Sequence, residues 1–156
     1  MAKFLKIILV VIVVGSASGL LAYNYVCPCA IIPGRALSGE LSTEPMMDWS
    51  IANTVPLCQL EVNPENPHSI NLNCMSAQSR LFVSCSVCET KNWAAVALEN
   101  PDGRIRIEGT IFPVTMRRLT GETELDMSWK ARSAKLGEDP NTPRPESWWS
   151  FEMITL

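Results

Sequence analysis

Residues 67–137 constrain the fold most, because strand-like and helix-like patterns alternate there in an order that few small folds share. Apolar and polar side chains alternate over residues 69–75 and again over residues 80–87, which is typical of half-buried strands. The residues between these two runs, 76–79, are mostly polar. We therefore predict that the two runs form a hairpin.

A short helix and a second hairpin follow. Residues 91–99 have apolar side chains at helical spacing, and the turn sequence at 101–103 then leads into alternating runs at 104–108 and 110–117. These runs are predicted to pair as a hairpin. The side chains on the buried faces of the helix and the hairpin are expected to be Trp93, Val96, Ala97, Ile105 and Ile107.

Two further strands and a longer helix complete the pattern. Residues 57–63 alternate as a first strand, and residues 148–156 are strand-like at the other end. Residues 123–137 are predicted to form a helix that begins with a capping box, Thr123 and Asp126, and ends at its glycine. The sequence thus predicts six strands and two helices.

Four sequence stretches carry a resemblance to a known family: PHSINLNCM, ETKNWAAVALENPDGRIRI, GTIFPVTMRRL and SWWSFEMITL. Their order resembles the split-barrel family of flavin-binding proteins, which includes pyridoxamine-phosphate oxidase-like proteins and deazaflavin-dependent reductases. The resemblance covers roughly residues 55–156. It implies a mainly β (α+β) fold, a six-stranded split β-barrel with two short helices.

The resemblance also implies FMN or a related flavin as cofactor. In this family a lysine at the position of Lys91 commonly touches the flavin phosphate, and the backbone N–H groups at a helix start can receive such an anion. The flavin ring would carry the redox chemistry, so no catalytic side chain is predicted. One alternative is that Lys91 is a solvated residue at the start of the helix. Another is that the cofactor has been lost, since residues 69–75 include no basic side chain to hold its phosphate. The predicted cofactor-binding residues are Ser69, Asn71, Thr90, Lys91, Asn92 and Trp93.

The amino-terminal segment is predicted to contact a membrane. Residues 4–22 are apolar or small apart from Lys6, and a helix of this length would cross most of a bilayer core about 30 Å thick. A cleaved signal peptide is the alternative, because small residues at 16–19 could form a cleavage site. Lys3 and Lys6 precede the apolar run, which favours a cytoplasmic amino end and an extracytoplasmic domain, periplasmic in a bacterium.

The chain is accordingly divided into a membrane anchor or signal segment (1–26), an irregular tether (27–54) and a barrel domain (55–156). The formal net charge is −3, with no basic block, so nucleic acid is not expected as a partner. Related barrels are often dimers with the cofactor at the subunit interface, and a homodimer is the corresponding expectation. A small-molecule redox substrate is expected, of unknown identity.

Six cysteines leave two interpretations open. Cys58, Cys74 and Cys85 share the inward phase of their strands, so each could be a packed thiol or a disulfide partner. Cys85 and Cys88 have the spacing of redox and metal sites, but a regular strand would point them to opposite faces. A further alternative is a thiol or metal protein that uses Cys85 and Cys88 together with Cys27 and Cys29. Another is a non-catalytic binding or assembly module stabilised by disulfides.

Overall fold

The computed structural model describes residues 2–25 and 33–156. The helices are α1 (Ala2–Tyr25), α2 (Asn92–Glu99) and α3 (Glu122–Leu136), with short 3-10 helices at Ser50–Asn53 and Cys88–Thr90. The strands are β1 (Glu40–Leu41), β2 (Cys58–Val62), β3 (His68–Leu72), β4 (Cys74–Ala77), β5 (Arg80–Cys85), β6 (Asp102–Ile107), β7 (Thr110–Arg118) and β8 (Trp149–Thr155). All eight belong to one sheet, so the prediction of a mainly β fold is confirmed. The predicted count of six strands is too low for the described residues, because the predicted strand over residues 69–75 is divided into β3 and β4 and because β1 was not predicted.

The sheet curls so that its two ends meet. The strand order is β3-β2-β6-β7-β8-β5-β4, with β1 added to β7, and all pairings along this path are antiparallel. β3 and β4 lie at opposite ends of this order, yet only Asn73 separates them in the chain. Consecutive Cα atoms are about 3.8 Å apart, so this one residue brings the ends of the sheet together. We refer to the junction of β3, β4 and β2 as the seam.

The predicted first hairpin is only partly correct. β4 pairs with β5 through a tight turn at Gln78 and Ser79, both with positive φ. β3, however, pairs with β2, with His68 opposite Val62. The alternation runs through Asn73 without a break, so the periodicity of the sequence could not show that one half of the run pairs on each side of the seam.

A disulfide crosses the seam. Cys58 on β2 is bonded to Cys74 on β4, and the two side chains are 1% and 0% exposed. Lys135 of α3 reaches the same place, where its Nζ donates hydrogen bonds to the carbonyl oxygens of Ala52 (2.7 Å) and Cys74 (2.5 Å). Partial burial lowers the pKa of Lys135. Of the two interpretations of Cys58 and Cys74, the structure therefore supports the bridge.

The barrel interior is filled by aliphatic side chains from the strands and closed by aromatic ones. Trp49 lies edge-on against Phe112 with ring centroids 5.0 Å apart, and Trp93 of α2 lies 5.3 Å from Phe151. These residues are buried, which follows from the roughly 150–250 Å² that each aromatic side chain removes from water. The strand residues of this interior cluster include Leu60, Val62, Leu81, Val83, Ile105, Ile107 and Val114.

α3 packs on the outer face of the sheet. Leu125 and Trp129, four residues apart, contact a second buried cluster that includes Phe82 and Trp148. The helix ends at Gly137, whose φ of 68° is readily adopted by glycine, as predicted. The predicted capping box is wrong: the N-cap is Gly121, and no side-chain cap is formed.

Four charged side chains attach the start of α3 to the sheet. Arg80 and Arg117 both donate to Glu124 of α3 and to Glu152 of β8, with N···O distances of 2.6–2.7 Å for the closest pairs. These hydrogen bonds lower the pKa of both carboxyl groups. We call this group the α3 charge cluster.

Residues 33–42 run from the edge of β3, past Glu61 of β2 and Arg106 of β6, to the edge of β7, and we call them the strap. The Leu37 N–H donates to the carboxylate of Glu61, a side chain with no exposed surface, which also accepts a 2.8 Å hydrogen bond from Arg104. The strap ends with β1 and Ser42, and the backbone N–H of Ser42 donates to the Ile111 carbonyl at 2.8 Å. Part of the segment predicted as an irregular tether is thus packed on the barrel.

α1 is exposed along its described side chains and contributes nothing to the barrel core. Within it, residues Lys3–Leu21 form a 19-residue stretch with a mean hydropathy of 2.4. Its length and composition are those of a membrane span, and a signal sequence has the same properties.

Candidate functional site

A pocket opens where the β2–β3 turn, the strap and the first turns of α2 meet. The chain leaves β2 at Asn63, whose φ of 52° suits an asparagine, and the Asn66 N–H closes the turn on the Asn63 carbonyl at 2.9 Å. Pro67 then leads into β3 at His68. The turn therefore presents two amide side chains and one imidazole at one end of the sheet.

The strap supplies the second wall. Gly34 and Ser69 exchange backbone hydrogen bonds of 2.8 and 2.9 Å, which fixes the strap along the edge of β3. This pairing places Arg35 beside the β2–β3 turn, where its Nη2 donates to the Asn66 Oδ1 at 3.4 Å. A guanidinium has five N–H donors, so most of its donors stay available to a ligand.

α2 supplies the third wall. Val87 turns the chain after β5, the 3-10 helix follows, and Lys91 has extended backbone angles before α2 begins at Asn92. Trp93, Ala94 and Ala97 form the buried face of the helix. With that face directed into the barrel, Asn92 and Val96 lie at the pocket.

The pocket has a volume of about 250 Å³ and a mainly polar surface. Among the described residues that line it, Arg35 is the one with a full charge and none is acidic, so the pocket favours an anion. Guanidinium, amide and imidazole groups can all donate hydrogen bonds to phosphate oxygens. The lining residues are Gly34, Arg35, Val62, Asn63, Asn66, Pro67, His68, Asn92 and Val96.

The predicted cofactor-binding residues are distributed unevenly around this pocket. Asn92 lines it. Lys91 and Thr90 are exposed next to it in sequence, and the Thr90 hydroxyl donates to the Val87 carbonyl at 2.9 Å within the local turn. Trp93 packs against Phe151.

The two predicted residues on β3 are not among the described residues that line the pocket. Ser69 is buried, and its hydroxyl has no hydrogen-bond partner in the part of the chain that the structure describes. Asn71 is half-buried on the same strand. Cofactor contact by the six residues therefore stays a prediction.

Arg35 and His68 line the pocket but are not among the cofactor-binding residues that the sequence predicts. Arg35 comes from a segment without periodicity, 28 or more positions away from the other polar lining residues, so no local pattern marks it. His68 had a weak signal, because it follows a turn and begins a strand. Arg35 and the β2–β3 turn come together in the pocket because Gly34 pairs with Ser69.

Cys85 and Cys88 are bonded to each other. A turn begins directly after Cys85, with Val87 at a φ of 52°, and this bend brings the two sulfurs to the same side. No group of His, Cys, Asp and Glu suited to a metal occurs within residues 2–25 and 33–156. Cys27 and Cys29, the other half of the four-sulfur alternative, lie outside the described residues.

No protein-family model and no curated protein matches the chain. Among the solved structures that match its fold are two with TM-scores above 0.5. A conserved hypothetical protein from Mycobacterium tuberculosis gives a TM-score of 0.54 at 10% identity, covering 74% of this chain and 85% of its own. A "Putative Pyridoxamine 5'-phosphate oxidase" from Listeria innocua gives 0.52 at 11% identity, covering 67% and 87%.

The chain therefore has the split-barrel fold of pyridoxamine 5'-phosphate oxidase-like proteins, as the resemblance of its sequence predicted. Identities of 10–11% establish the fold and leave the activity to the site.

Proposed function

We propose that the chain is a membrane-anchored, extracytoplasmic split-barrel protein that binds FMN or a related flavin and acts as an oxidoreductase. The observation that carries this proposal is the polar pocket at the start of α2, where Arg35 and Asn92 meet without an acidic neighbour among the described lining residues. The fold, shared with proteins named as pyridoxamine 5'-phosphate oxidases, supports a flavin as the ligand.

The donors of the pocket fit the phosphate end of such a cofactor. Arg35 would hold the phosphate by charge-assisted hydrogen bonds, and Asn92 and His68 would orient it. Lys91 is exposed and directly precedes Asn92 in the chain, so it adds positive charge next to the pocket. When bound, a flavin supplies hydride or electron transfer, and the residues described here bind and orient its charged end.

The volume of the pocket sets a condition on this assignment. At about 250 Å³ it is smaller than the roughly 300–1,000 Å³ of sites that enclose a drug-sized ligand. The flavin ring would therefore lie outside this pocket, and we propose a homodimer in which the second chain covers it. Cross-linking of the full chain in detergent, with and without FMN, tests this arrangement.

A comparison of FMN with riboflavin tests the phosphate site. We expect FMN to bind the full chain in detergent at least tenfold more tightly than riboflavin, because hydrogen bonds to a charged group are worth about 1.5–3 kcal/mol. Arg35→Ala should remove this difference in affinity and leave the affinity for riboflavin unchanged. Lys91→Ala should reduce the difference between FMN and riboflavin without removing it. Fluorescence quenching of each flavin measures both affinities.

Arg132→Ala on α3 is the matched control, because it removes an arginine on another face of the barrel. Equal affinities for FMN and riboflavin in the unmodified chain would contradict the phosphate site. An unchanged preference for FMN in Arg35→Ala would exclude Arg35.

A non-catalytic binding or assembly module is the second candidate. The small, polar character of the pocket favours it, since the described residues of a single chain form no apolar slot there for a flavin ring. The visible spectrum of the purified chain separates the two: flavin colour released on denaturation supports the oxidoreductase, and a colourless protein unchanged by added FMN supports the module.

The proposed location rests on α1 and the disulfides. Disulfides persist in oxidising compartments, which agrees with a barrel outside the cytoplasm. Membrane fractionation followed by carbonate extraction tests the anchor: retention of a chain that still contains residues 4–22 supports a span, whereas a shortened soluble product would show cleavage.

A further inference from the structure

The two disulfides of the barrel lie in different environments. Cys58 and Cys74 are 1% and 0% exposed and join two strands across the seam. Cys85 and Cys88 lie at the end of β5, where Cys85 is half-buried and Cys88 is 1% exposed. Cys85 packs against the edge of the core, but it is the most exposed of these four cysteines, so a reagent in solution approaches it more readily than the other three.

The turn that contains the second pair is open to solvent. Ser86 and Val87, the two residues between the cysteines, are exposed, with Val87 at 52%. Val87 has a φ of 52°, a conformation that β-branched residues rarely adopt. The cross-link and a 3.3 Å hydrogen bond from the Cys88 N–H to the Ser147 carbonyl hold this turn.

The second bridge also contributes less to holding the fold. It spans a sequence separation of 3, against 16 for the seam disulfide. In the chain-entropy account, closing a shorter loop restricts the unfolded chain less and stabilises the folded state less. A stabilising role thus explains the seam disulfide better than it explains the bridge between Cys85 and Cys88.

We propose that Cys85 and Cys88 form a redox-active disulfide that exchanges two electrons with a dithiol. A thiolate of the donor attacks the accessible Cys85 sulfur, the bond between Cys85 and Cys88 breaks, and Cys88 leaves as a thiolate that takes up a proton. The second thiol of the donor then attacks the donor sulfur bonded to Cys85 and releases Cys85 as a thiol. The donor becomes a disulfide, and the protein gains two thiols.

The surroundings of the two sulfurs assign these roles. Cys85 is the entry point because it is the more exposed of the two. Cys88 is the internal partner, and the Trp149 carbonyl oxygen, 3.9 Å from its sulfur, can accept the hydrogen of the thiol after reduction. This inference is independent of the proposed flavin, because it uses no residue of the pocket.

A dithiothreitol titration of the full chain in detergent tests the proposal. Samples equilibrated at fixed ratios of reduced to oxidised dithiothreitol are quenched with acid, alkylated and analysed by peptide mass spectrometry, with circular dichroism recorded in parallel. We expect Cys85 and Cys88 to be labelled together at ratios that leave Cys58 and Cys74 unlabelled and the secondary structure intact. Addition of oxidised dithiothreitol should restore the bridge.

The same titration in a Cys27→Ser and Cys29→Ser background removes the two cysteines outside the described residues as internal exchange partners. Labelling of all four barrel cysteines in one step would overturn the proposal. So would labelling of Cys85 and Cys88 only where circular dichroism shows unfolding.

Single variants test the assigned roles. Cys88→Ser leaves the accessible Cys85, and Cys85→Ser leaves the buried Cys88. With an aromatic disulfide reagent, Cys88→Ser should react at least tenfold faster than Cys85→Ser, and the two rates should become equal in denaturant. Equal rates in the folded state would exclude Cys85 as the entry point. If either variant fails to fold, the dithiothreitol titration of the unmodified chain still decides whether the disulfide is redox-active.

Discussion

Val87 is the residue whose sequence pattern and structure disagree most clearly. Its place in the alternation of residues 80–87 predicts an inward side chain, but it is 52% exposed and has a positive φ. The disagreement has a local cause: β5 ends at Cys85, and the bridge to Cys88 requires a bend that a regular strand cannot make. Alternation alone contains no information about where a strand ends.

Val87→Gly should therefore stabilise the fold. The left-handed conformation costs a non-glycine residue about 1–2 kcal/mol, and the extra freedom of glycine in the unfolded chain offsets about 0.5–1 kcal/mol of the gain. We expect a rise of about 0.5–1 kcal/mol in the free energy of unfolding, measured in urea by tryptophan fluorescence. Ser86→Gly, at a neighbouring exposed position outside the left-handed region, should bring no such gain, and equal effects would contradict the argument.

Individual site residues could be predicted only where a motif marked them. Asn92 belongs to the ETKNW stretch that carries the resemblance, and it lines the pocket, although its contact with a cofactor stays a prediction. Arg35 could not be named, because its position depends on the backbone pairing between Gly34 and Ser69. A contact between residues so far apart in the chain leaves no trace in local spacing.

At the scale of elements, the α3 charge cluster determines how the docking of α3 responds to acid. Hydrogen bonds from Arg117 and Arg80 lower the pKa of Glu124 to about 2, and a hydrogen bond from Arg80 lowers that of Glu152. The pKa values of both arginines are raised, so the arginines stay charged. As the pH falls, the glutamates of the unfolded chain take up protons before those of the folded chain do. The stabilisation is therefore complete above the ordinary pKa of 4.5 and is lost as the pH falls towards 2.

Glu124→Gln should flatten the loss of stability between pH 4.5 and pH 2, because it removes one of the two carboxyl groups with a lowered pKa. Urea unfolding at a series of pH values measures the slope. Glu99→Gln, at the exposed end of α2, is the control and should keep the slope of the unmodified chain. An unchanged slope in Glu124→Gln would mean that the cluster does not dock α3.

The elements themselves were mostly predictable. Period-two alternation identified the regions of the longer strands but merged β3 and β4 into one run, and the spacing of Leu125 and Trp129 with Gly137 identified α3. The capping box failed because α3 begins at Glu122, one residue before the predicted start, and the carboxylate of Glu124 is held by Arg80 and Arg117. A tertiary ion-pair cluster thus replaces the local motif.

At the scale of the whole molecule, the seam disulfide should be the more important of the two bridges. Replacing Cys58 and Cys74 by alanine is expected to lower the free energy of unfolding by about 3 kcal/mol, since the bridge closes a loop with a sequence separation of 16. Replacing Cys85 and Cys88 by alanine should cost no more than about 2 kcal/mol. Urea unfolding of the two double variants measures both, and the reverse order would contradict the roles assigned here.

The overall topology could be predicted only through the resemblance to split barrels. Strand patterns indicate which residues face inward, but not that β2 pairs with both β3 and β6, nor that one residue closes the seam. Those pairings depend on curvature of the whole sheet, which local sequence does not encode.

The attachment of the strap has a consequence for where the barrel can work. Residues 26–32 connect α1 to the first described residue of the strap, and seven residues reach at most about 25 Å when fully extended. With α1 in a bilayer, Gly34 and the pocket beside it stay close to the lipid headgroups, whatever way the barrel rotates. A ligand would then be met within a few nanometres of the membrane surface.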